Sequence, residues 1–585
     1  MAGVVRRLPS LLIAACVGFA GCDEAAEVER MATTLPATWR FDALVPPATG
    51  KNGMVVTDAA EATRVGSELL RAGGNAVDAA VAAAFALAVV YPEAGNIGGG
   101  GFMIVHDAGG TVAALDFREM APGLATRDMF LDENGEVTDR SVTGHLASGV
   151  PGTVAGLWEA HRRFGRMSWA DVVAPAIRLA AEGFAVDARF AASVRAEQHR
   201  LQRFPASAAL FLPNDQPPVA GEIWRNPELG AVLQRVAERG PAGFYDGETA
   251  DLIVAEMRRG GGLITHDDLA GYRAVWREPL TFTYRGHTIV SMPPPSSGGV
   301  TLALIANQLQ GFELARLGWS SVTTLHLMTE AMRRAFADRN AWLGDPDFAP
   351  IPTARLASAE HAAARRASIA LDHATSSQSV TPVGTPGAAG EGNNTTHVVV
   401  ADSSGTVVSL TTTVNGLYGS AVTVAGAGFV LNNEMDDFTA RPGTPNMFGL
   451  VQGEANAIEP GKRMLSAMTP TIVLAPDGRP VVATGARGGP RIISAVFQVL
   501  SNLIDHGMDP STAVVAPRIH HHHLPDILYF ERGGLPDEAI LELTRMGHDV
   551  RQYGGTIGHA PTIVRGAGVW LGVVDPRLGG AAEGY

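Results

Sequence analysis

The sequence predicts a protein that mixes helices and strands, an α+β fold, and three observations support this. Helical patterns dominate the long stretch from 153 to about 260. Short apolar strand patterns recur at 112–117, 284–292 and 481–484. Two further strand patterns within 395–414 are joined by a short loop that ends in glycine, which is typical of a β-hairpin. The length of 585 residues favours two domains or two closely associated halves.

The composition indicates a globular protein with a large core, because 46% of the residues are hydrophobic and 18% are charged. The formal net charge of -14 makes nucleic acid and anionic membrane surfaces poor partners. This charge is spread along the chain, so it indicates a solvated surface. We therefore expect no nucleic-acid partner.

The N-terminus has the pattern of an export signal. Arg6-Arg7 form a positive n-region, and the apolar run from Leu11 to Phe19 is too short to span a bilayer. The small residues before Cys22 resemble a bacterial lipoprotein cleavage box, which predicts a signal peptide over 1–21 and lipidation of Cys22. The alternative is an ordinary signal peptide in which Cys22 is incidental. Asp23 resembles the signal that retains lipoproteins at the inner membrane of Gram-negative bacteria.

Cysteine usage agrees with this leader. Cys16 and Cys22 are the two cysteines of the chain, so the mature protein would contain no disulfide and no thiol nucleophile. We expect a periplasmic protein that touches the membrane only through its lipid anchor. Residues 22–45 are acidic and irregular, as expected of a tether, and folded sequence is predicted to begin near Gly53.

Two helices are predicted at the start of the folded region. Residues 58–72 show helical spacing, with Asp58 as the predicted N-cap. Residues 75–91 form an Ala- and Val-rich run in which the thirteen residues after Asp78 carry no charge. That length indicates a buried core helix and not a membrane span.

A glycine run and an arginine follow. The run from Gly95 to Gly101 precedes a strand, which indicates backbone packed closely against a neighbour. It lacks the Gly-Lys-Ser/Thr of a phosphate-binding loop. The strand 112–117 ends at Arg118, whose guanidinium could fork onto a substrate carboxylate; the alternative is an ordinary surface arginine.

The middle of the chain supplies helices, a rigid turn and a loose segment. A helix is predicted from about 153 to 164, and the apolar stripe of 324–342 predicts another. The strand 284–292 leads into a Pro- and Ser-rich turn at 293–299. Residues 374–394 lose periodicity and gain Ser, Thr, Pro and Gly, so we expect a flexible segment with no packed core.

The predicted hairpin fixes which residues face each other. If the loop is 403–405, residue 402 pairs with 406, and counting back places Thr395 opposite Thr413. A cross-strand pair of threonines is by itself an ordinary structural feature. Its interest comes from its position, because Thr395 directly follows the loose segment.

This position predicts that the chain cuts itself between Asn394 and Thr395. The Thr395 hydroxyl would attack the Asn394 carbonyl carbon, and water would then release the resulting ester. The freed α-amine has a reference pKa of about 7.7–8.0, which suits a general base near neutral pH. Thr413 is predicted to orient the Thr395 hydroxyl by a hydrogen bond.

Two later stretches could complete a site. Residues 431–438 form a dense polar cluster that, with Asn415, could hold a cationic amine; the alternative is a turn of solvated acids. The strand 481–484, the pair Gly488-Gly489 and a helix over about 492–506 would aim free N–H groups at developing negative charge.

The run from His520 to His523 is a weak indication of a metal site. Consecutive histidines do not share a helix face, and no acidic partner pattern follows them. We expect a structural role for these histidines, and neither a metal nor a cofactor in the protein.

Together these residues resemble the γ-glutamyltranspeptidase family over nearly all of the chain after the leader. The resemblance rests on stretches that occur in the family's order: Gly95–Met103, Asp116–Pro122, Ser148–Gly152, 293–299, Thr395–His397, Asn432–Phe438 and Gly488-Gly489. It implies the four-layer αββα sandwich of N-terminal nucleophile hydrolases. It also implies a precursor cut into a large subunit, 46–394, and a small catalytic subunit, 395–585, which form a heterodimer.

The resemblance assigns roles to residues of this chain. Thr395 resembles the nucleophile, Thr413 its hydrogen-bonding partner, and Gly488 with Gly489 the oxyanion hole. The residues that resemble the holders of the substrate α-amino group are Asn415, Glu434 and Asp437. Those that resemble the holders of its α-carboxylate are Arg118 and Ser466.

Three positions depart from the family pattern. Ala467 stands where the family commonly has a second serine, and the missing hydroxyl would weaken substrate binding by about 1–2 kcal/mol. Phe448 stands where the lid, here 442–453, often has tyrosine. Arg487 precedes the glycine pair and could alter the charge of the site. Asp437 is kept, and because a buried acid needs a cation, it favours an amino-bearing acyl group.

The resemblance implies an autoprocessed γ-glutamyl hydrolase and transferase that acts on glutathione and other γ-glutamyl amides. An acyl-enzyme on Thr395 would pass the γ-glutamyl group to water, an amino acid or a peptide. One alternative is a cephalosporin or glutaryl acylase-type amidase on the same scaffold. The other is an exported binding lipoprotein with a dead site, which the intact Thr395, Thr413 and glycine pair disfavour.

Overall fold

A computed structural model describes residues 34–41, 45–381, 395–444, 446–447, 450 and 452–585 of the chain. The predicted signal peptide, Cys22, Asn394 and Phe448 lie outside these residues, so what was predicted for them stays a prediction. Within the described ranges, no helix combines the length and the apolar character needed to cross a membrane.

The strands of the described chain fall into two large sheets and two small ones. In chain order they are β1 (Ala48–Gly50), β2 (Gly53–Thr57), β3 (Gly100–His106), β4 (Val112–Phe117), β5 (Phe184–Ala185), β6 (Ile223–Trp224), β7 (Val275–Arg277), β8 (Leu280–Tyr284), β9 (His287–Ser291), β10 (Thr396–Asp402), β11 (Val407–Thr413), β12 (Thr471–Leu474), β13 (Pro480–Thr484), β14 (Ile519–His520), β15 (Leu528–Phe530), β16 (Val550–Gln552), β17 (Thr562–Arg565), β18 (Trp570–Val573) and β19 (Ala581–Gly584).

The helices lie mostly before β10. In chain order they are α1 (Ala60–Arg71), α2 (Ala76–Val90), α3 (Thr153–Phe164), α4 (Trp169–Glu182), α5 (Ala188–Leu201), α6 (Pro205–Phe211), α7 (Pro227–Arg239), α8 (Ala242–Tyr245), α9 (Glu248–Gly260), α10 (His266–Gly271), α11 (Gly298–Leu309), α12 (Leu314–Leu317), α13 (Val322–Trp342), α14 (Thr353–Leu356), α15 (Ala359–Ala367), α16 (Arg491–Ile504), α17 (Pro510–Val515) and α18 (Asp537–Arg545).

Both large sheets have seven antiparallel strands and draw on both predicted subunits. The first sheet has the order β19-β2-β10-β11-β3-β4-β7, and the second has the order β1-β18-β17-β13-β12-β9-β8. In the first sheet, β10 and β11 come from the C-terminal part and lie between β2 and β3 of the N-terminal part. The two parts therefore share continuous sheets and one fold.

The side chains of β10 show how the layers stack. Val398 and Val400 lie in an apolar core with α1 and α2, which cover one face of the first sheet. Val399 points the other way, into a core that contains Ile472 and Ala483 of the second sheet. Helices α11, α13 and α16 belong to that core as well, and α11 contacts β8 and β9. The order helix, sheet, sheet, helix is the four-layer αββα sandwich, as predicted.

Helix α2 is the central element of the outer layer. Its uniformly apolar sequence is buried along its whole length, which confirms the prediction of a core helix. Asn75 and Asp78 form a reciprocal capping box at its N-terminus, so the orphan backbone N–H groups are satisfied without water.

The predicted N-cap of α1 was wrong. The helix starts at Ala60 with Ala59 as N-cap and has no side-chain cap. The Asp58 carboxylate accepts a hydrogen bond from Thr396 and lies beside His559 instead. The Asp58 side chain therefore contacts residues distant in the sequence and does not cap the helix in the way that the local pattern predicted.

Two predicted boundaries also need correction. The strand predicted over 284–292 starts too early, because Tyr284 ends β8, Arg285 and Gly286 turn the chain with φ values of 48° and 81°, and β9 begins at His287. Packing also begins before Gly53. Trp39, inside the predicted tether, is buried, and its indole N–H donates to the Val515 carbonyl at 3.0 Å.

The hairpin register is confirmed. Thr396 pairs with Thr412 and Ala401 with Val407, so Thr395 lies opposite Thr413 one position beyond the last pair. Gly405 ends the loop with a φ of 91°, which glycine adopts without strain.

Candidate active site

Residues far apart in the chain meet in one cleft at the start of β10. The predicted site residues that line it are Arg118, Thr395, Thr413, Asn415, Glu434, Asp437, Ser466 and Gly489. Further lining residues are Arg339, Leu450, Leu465, Ala467, Met468, Pro490 and Ile492. Gly488 is outside this lining and directly precedes Gly489. The cleft thus combines a hydroxyl pair, a charged cluster and an apolar wall.

Thr395 and Thr413 are buried neighbours across the hairpin. Thr413 Oγ1 accepts a hydrogen bond of 2.8 Å from the backbone N–H of Asn415. A hydroxyl has one hydrogen to donate, so this contact turns the Thr413 hydrogen away from Asn415 and toward another acceptor. This geometry suits a residue that orients the hydroxyl of Thr395.

The glycine run at β3 brings the backbone up against this pair. A Cβ on Gly99 would lie 2.0 Å from the Thr413 carbonyl oxygen, and a Cβ on Gly101 would lie 2.3 Å from the Thr411 carbonyl oxygen. Any larger residue would push the strands apart, which confirms the predicted close approach. Asn96 Nδ2 adds a hydrogen bond of 2.9 Å to the Thr413 carbonyl.

Asn415 turns the chain directly after β11. Its φ is 74°, in the left-handed region that asparagine tolerates better than most residues. Its Nδ2 donates to the Asn433 carbonyl at 3.0 Å. This contact ties the end of the hairpin to the acidic cluster that begins at Glu434.

Arg118 is buried and contacts several groups at once, so it is not a surface arginine. Its Nη1 lies 2.5 Å from Glu434 Oε2, and its Nη2 donates a short hydrogen bond to Asp437. Its Nε donates to the Met464 carbonyl at 3.2 Å. The Tyr272 hydroxyl fixes the backbone by donating to the Arg118 carbonyl at 2.8 Å. The guanidinium is therefore held from several sides before any substrate binds.

The charge around Arg118 is unbalanced. Burial raises the pKa of Glu434 well above its usual range and also raises the pKa of Asp437, although Arg118 opposes both shifts. Burial raises the pKa of the neighbouring Glu119 to about 7. Three buried carboxyls thus face Arg118, with Arg339 as a second cation that acts on Asp437, and the excess of acid makes the site favourable for a further cation.

Ser466 is held by the rigid turn at 293–299. Ser297 donates to the Ser466 carbonyl through its backbone N–H at 2.7 Å and its hydroxyl at 2.6 Å, and the Ser466 N–H donates to Pro295 at 2.9 Å. The Ser466 hydroxyl accepts a hydrogen bond from the Met468 N–H at 3.1 Å. Beside it, Ala467 lines the cleft with a methyl group.

The glycine pair forms the turn that enters α16. Gly488 and Gly489 have φ values of 131° and 57°, which other residues rarely adopt. Pro490 is the N-cap, and the Gly489 carbonyl accepts the N–H of Ile492 at 2.9 Å. The N-terminus of α16 therefore lies at the cleft, where helix N–H groups and the helix dipole favour negative charge.

Arg487 does not line this cleft. Its Nη1 donates a short hydrogen bond to the Tyr91 hydroxyl at the end of α2. The expectation that Arg487 alters the charge of the substrate site stays a prediction.

Sequence reasoning missed Arg339 and Glu119. Arg339 lies in the last turns of α13, where its Nε donates to the Ser297 hydroxyl at 3.1 Å and its Nη1 donates to Gln452 at 3.1 Å. Its signal was an arginine placed on a helix that is otherwise buried. Glu119 was quoted as part of a motif, but its burial beside Arg118 has no local signal.

The lid predicted over 442–453 is described only in part. Residues 445, 448, 449 and 451 lie outside the described chain. Of the remainder, Leu450 lines the cleft, and the Met447 N–H donates to Asp436 at 2.7 Å.

The histidines of the run 520–523 contact other residues of the same chain. His520 Nδ1 is 2.6 Å from the Ser494 hydroxyl, and His523 Nε2 is 2.9 Å from the Ser377 carbonyl. A separate group in the described chain, His326, Glu330 and His548, is close enough to hold a metal ion. However, both carboxylate oxygens of Glu330 already face arginines, Arg333 at 3.1 Å and Arg334 at 2.5 Å. These contacts favour an ion-pair network.

Comparison with known proteins gives a consistent result. The sequence model of a family described as gamma-glutamyltranspeptidase matches residues 62–585. The chain is 44% identical over 534 residues to the glutathione hydrolase proenzyme of Escherichia coli (strain K12), covering 91% of each chain. It is 46% identical over 504 residues to the glutathione hydrolase proenzyme of Pseudomonas sp. (strain A14), covering 85% of this chain and 86% of that one.

Among solved structures, the cephalosporin acylase from Bacillus halodurans is similar to this fold with a TM-score of 0.83. The two sequences are 29% identical, and the match covers 94% of this chain and 99% of that chain.

Proposed function

Because the chain belongs to the γ-glutamyltranspeptidase family, we propose that it cuts itself before Thr395 and then transfers γ-glutamyl groups from that threonine to water or to an amine. The substrates proposed are glutathione and other γ-glutamyl amides. The observation that carries this proposal is the cleft itself, in which Arg118 and a cluster of buried acids lie beside the threonine pair.

The first step proposed is maturation. Thr395 Oγ1 loses its proton and attacks the Asn394 carbonyl carbon, the C–N bond breaks, and the nitrogen of Thr395 takes a proton. Water then hydrolyses the ester that links Asn394 to Thr395 Oγ1. The products are a new carboxylate on Asn394 and a free α-amine on Thr395, and the two pieces remain together as a heterodimer.

The second step is acylation by substrate. The α-amine of Thr395 accepts the proton of its own hydroxyl as Oγ1 attacks the γ-carbonyl carbon. Backbone N–H groups at Gly488 and Gly489 stabilise the oxyanion at the N-terminus of α16. The protonated amine then gives its proton to the leaving nitrogen, and the C–N bond breaks to leave a γ-glutamyl ester on Thr395.

The third step frees the enzyme. Water, or the amine of an amino acid or peptide, attacks the ester carbonyl and loses a proton to the α-amine of Thr395. The C–O bond breaks, and the proton returns to Thr395 Oγ1. Glutamate or a new γ-glutamyl amide leaves the cleft.

The charges of the cleft support a γ-glutamyl group. The α-carboxylate of such a group would pair with Arg118 and accept from Ser466, and its α-ammonium would pair with Glu434 and Asp437 and contact Asn415. A zwitterion therefore supplies a carboxylate to Arg118 and an ammonium to the acids, which outnumber the guanidinium of Arg118. A neutral acyl chain would leave the extra acids without a cation.

A second candidate is a cephalosporin or glutaryl acylase-type amidase. Its support is the similarity to the Bacillus halodurans acylase and the methyl group of Ala467 in the cleft. The buried Asp437 and Glu434 argue against it, because a glutaryl group has no ammonium to pair with them.

The deciding experiment is a panel of three anilides that share a leaving group: γ-glutamyl, glutaryl and plain acyl. We expect the γ-glutamyl compound to have the highest kcat/KM. Higher kcat/KM for glutaryl-anilide would overturn the substrate assignment and favour the acylase. An enzyme inactive on all three would overturn the proposed reaction.

We also propose that the protein is exported and lipid-anchored through Cys22. The support is the leader pattern together with the small residues before Cys22. Metabolic labelling with a palmitate analogue tests it: the wild type should be labelled and the Cys22→Ser variant should not. A wild type that takes up no label would reject the anchor and leave the ordinary signal peptide, and equal labelling of both would reject Cys22 as its site.

A further inference from the structure

Asp58 is a buried acid that the proposed mechanism does not use. It follows β2 directly, and its side chain lies under the first residue of β10. Its Oδ2 accepts a hydrogen bond of 2.8 Å from the Thr396 hydroxyl, and its Oδ1 lies 3.2 Å from His559 Nδ1. Each of these three residues is almost completely buried, so water does not screen the contacts.

The groups around His559 favour the protonated ring, in which both nitrogens carry a hydrogen. Its Nε2 lies 2.9 Å from two carbonyl oxygens, those of Asp575 and Gly579, and therefore must carry a hydrogen. Its Nδ1 faces the Asp58 carboxylate, which can only accept. Neither Asp58 Oδ1 nor His559 Nδ1 has a hydrogen-bond partner among the described residues, so their contact at 3.2 Å is an ion pair, and it favours a protonated His559 beside an ionised Asp58.

The charges agree with this geometry. Burial lowers the pKa of His559, but the neighbouring Asp58 outweighs it, and the pKa of His559 rises above its usual value. Burial raises the pKa of Asp58, but His559 and Arg487 outweigh it, and the pKa of Asp58 falls below its usual value. One carboxylate is therefore held ionised by two buried cations.

The two cations, His559 and Arg487, also hold the Gly488-Gly489 turn in place through their backbones. The backbone N–H of Arg487 donates to the His559 carbonyl at 3.0 Å, and the N–H of His559 donates back to the Arg487 carbonyl at 3.1 Å. Gly488 is the next residue after Arg487. The position of the proposed oxyanion N–H groups is thus tied to the ring that pairs with Asp58.

The other end of the cluster is tied to the proposed nucleophile. Side chains alternate across a strand, so Thr396 points away from the cleft while Thr395 points into it. The hydrogen bond from Thr396 to Asp58 holds the face of β10 that points away from the cleft. Asp58 is therefore connected to Thr395 through Thr396, and to the Gly488-Gly489 turn through His559.

We propose that Asp58 is a positioning residue that aligns Thr395 with the Gly488-Gly489 turn through Thr396 on one side and His559 on the other. This proposal rests on the proposed function of Thr395. It assigns Asp58 no contact with substrate. A misplacement of about 1 Å in such a pair can lower a rate by about a hundredfold, so the alignment has a measurable consequence.

The test uses Asp58→Asn, Thr396→Val and Thr396→Ser in the full chain, with γ-glutamyl-anilide as substrate. We expect kcat per cut molecule to fall by about ten- to a hundredfold in Asp58→Asn and in Thr396→Val, with KM changed by less than about twofold. Thr396→Ser keeps the hydroxyl and should restore most of kcat. The double variant Asp58→Asn/Thr396→Val should be no worse than the poorer single variant, because one interaction is being removed twice.

Asp402→Asn is the matched control. Asp402 is a buried acid at the far end of the same strand, where its carboxylate accepts from the backbone N–H groups of Ser404 and Ala76. Losing it should lower the melting temperature and leave kcat unchanged. If Asp58→Asn behaves in the same way, Asp58 is merely structural and the proposal is wrong.

The remaining outcomes are also decisive. If Asp58→Asn does not fold, the Thr396→Val and Thr396→Ser pair carries the test: equal kcat in the two would overturn the proposal. Asp58→Asn that folds but stays uncut supports it, because maturation needs the same alignment. An inactive wild type would reject the proposed function itself, whereas an active wild type with fully active variants would reject only the role of Asp58.

Discussion

Arg118 Nη1 lies 2.5 Å from Glu434 Oε2. The residue proposed to bind a substrate carboxylate therefore already neutralises an acid proposed to bind its ammonium. A bound zwitterion would give Arg118 a carboxylate and would give the buried acids, which outnumber the Arg118 guanidinium, an ammonium. The same arrangement means that Arg118 supports the fold as well as the substrate.

Replacing Arg118 by alanine should affect both binding and stability. KM for γ-glutamyl-anilide should rise by about ten- to a hundredfold, because charge-assisted hydrogen bonds to the carboxylate are lost. The free energy of unfolding should fall by about 3–5 kcal/mol, because buried Glu434 and Asp437 lose their cation. Steady-state kinetics and chemical denaturation measure the two effects. Arg64→Ala, which removes an exposed arginine paired with Glu68, should change neither.

The acid cluster should make substrate binding depend on pH. Glu119 has its pKa raised to about 7, chiefly by burial, and it faces Arg118 together with Glu434 and Asp437. A bound ammonium favours the ionised acids, so binding should release a proton when the cluster is partly protonated. KM for γ-glutamyl-anilide should therefore rise as pH falls below about 7, by at most about tenfold per pH unit for each proton released.

Two controls accompany this pH experiment. Glutaryl-anilide carries no ammonium, so its KM should not rise in the same way on acidification. Glu119→Gln should flatten the profile of the γ-glutamyl substrate. A KM that stays constant between about pH 6 and about pH 8 in the wild type would mean that the cluster does not titrate there.

The proposed cut should depend on one hydroxyl. Wild-type protein should give two bands on a denaturing gel, and the smaller should begin with Thr395 by N-terminal sequencing. Thr395→Ala should stay as one band and lose activity by more than about a thousandfold, because nucleophile and base are removed together. Thr395→Ser keeps the hydroxyl and should still be cut. A single-band wild type with full activity would contradict the mechanism.

Ala467 offers a gain-of-function test. Ala467→Ser would place a second hydroxyl beside Ser466, and one added hydrogen bond of about 1 kcal/mol would lower KM for γ-glutamyl-anilide by about fivefold. Ala467→Val adds atoms without a hydroxyl and should not lower it. The plain acyl-anilide lacks the carboxylate, so its KM should be the same in the wild type and the serine variant.

Sequence predicted best what short stretches of chain decide. The loop at 403–405 set the register of the hairpin, and the register placed Thr413 opposite Thr395 without any tertiary information. The apolar run of α2 likewise predicted a buried helix. In both cases the pattern repeats over enough residues for one reading to dominate.

The errors arose where a distant residue decided the outcome. Asp58 has the spacing of an N-cap, but Thr396 and His559 approach it from more than three hundred residues away. Arg487 directly precedes the glycine pair in the chain, yet its Nη1 donates to the hydroxyl of Tyr91, which directly follows α2. Long-range pairs of buried charges leave no periodic signal, so they could not be read from one sequence.

Strands β10 and β11 lie between β2 and β3, and this arrangement determines the order in which folding and the proposed cut must occur. While the chain is whole, the strands of the first sheet find each other as parts of one molecule. After the proposed cut, the same strands would have to meet as two molecules, so refolding would become dependent on concentration. The cut form would then persist because its unfolding is slow and not because it can easily re-form. Maturation would thus be a one-way step in which folding precedes cutting.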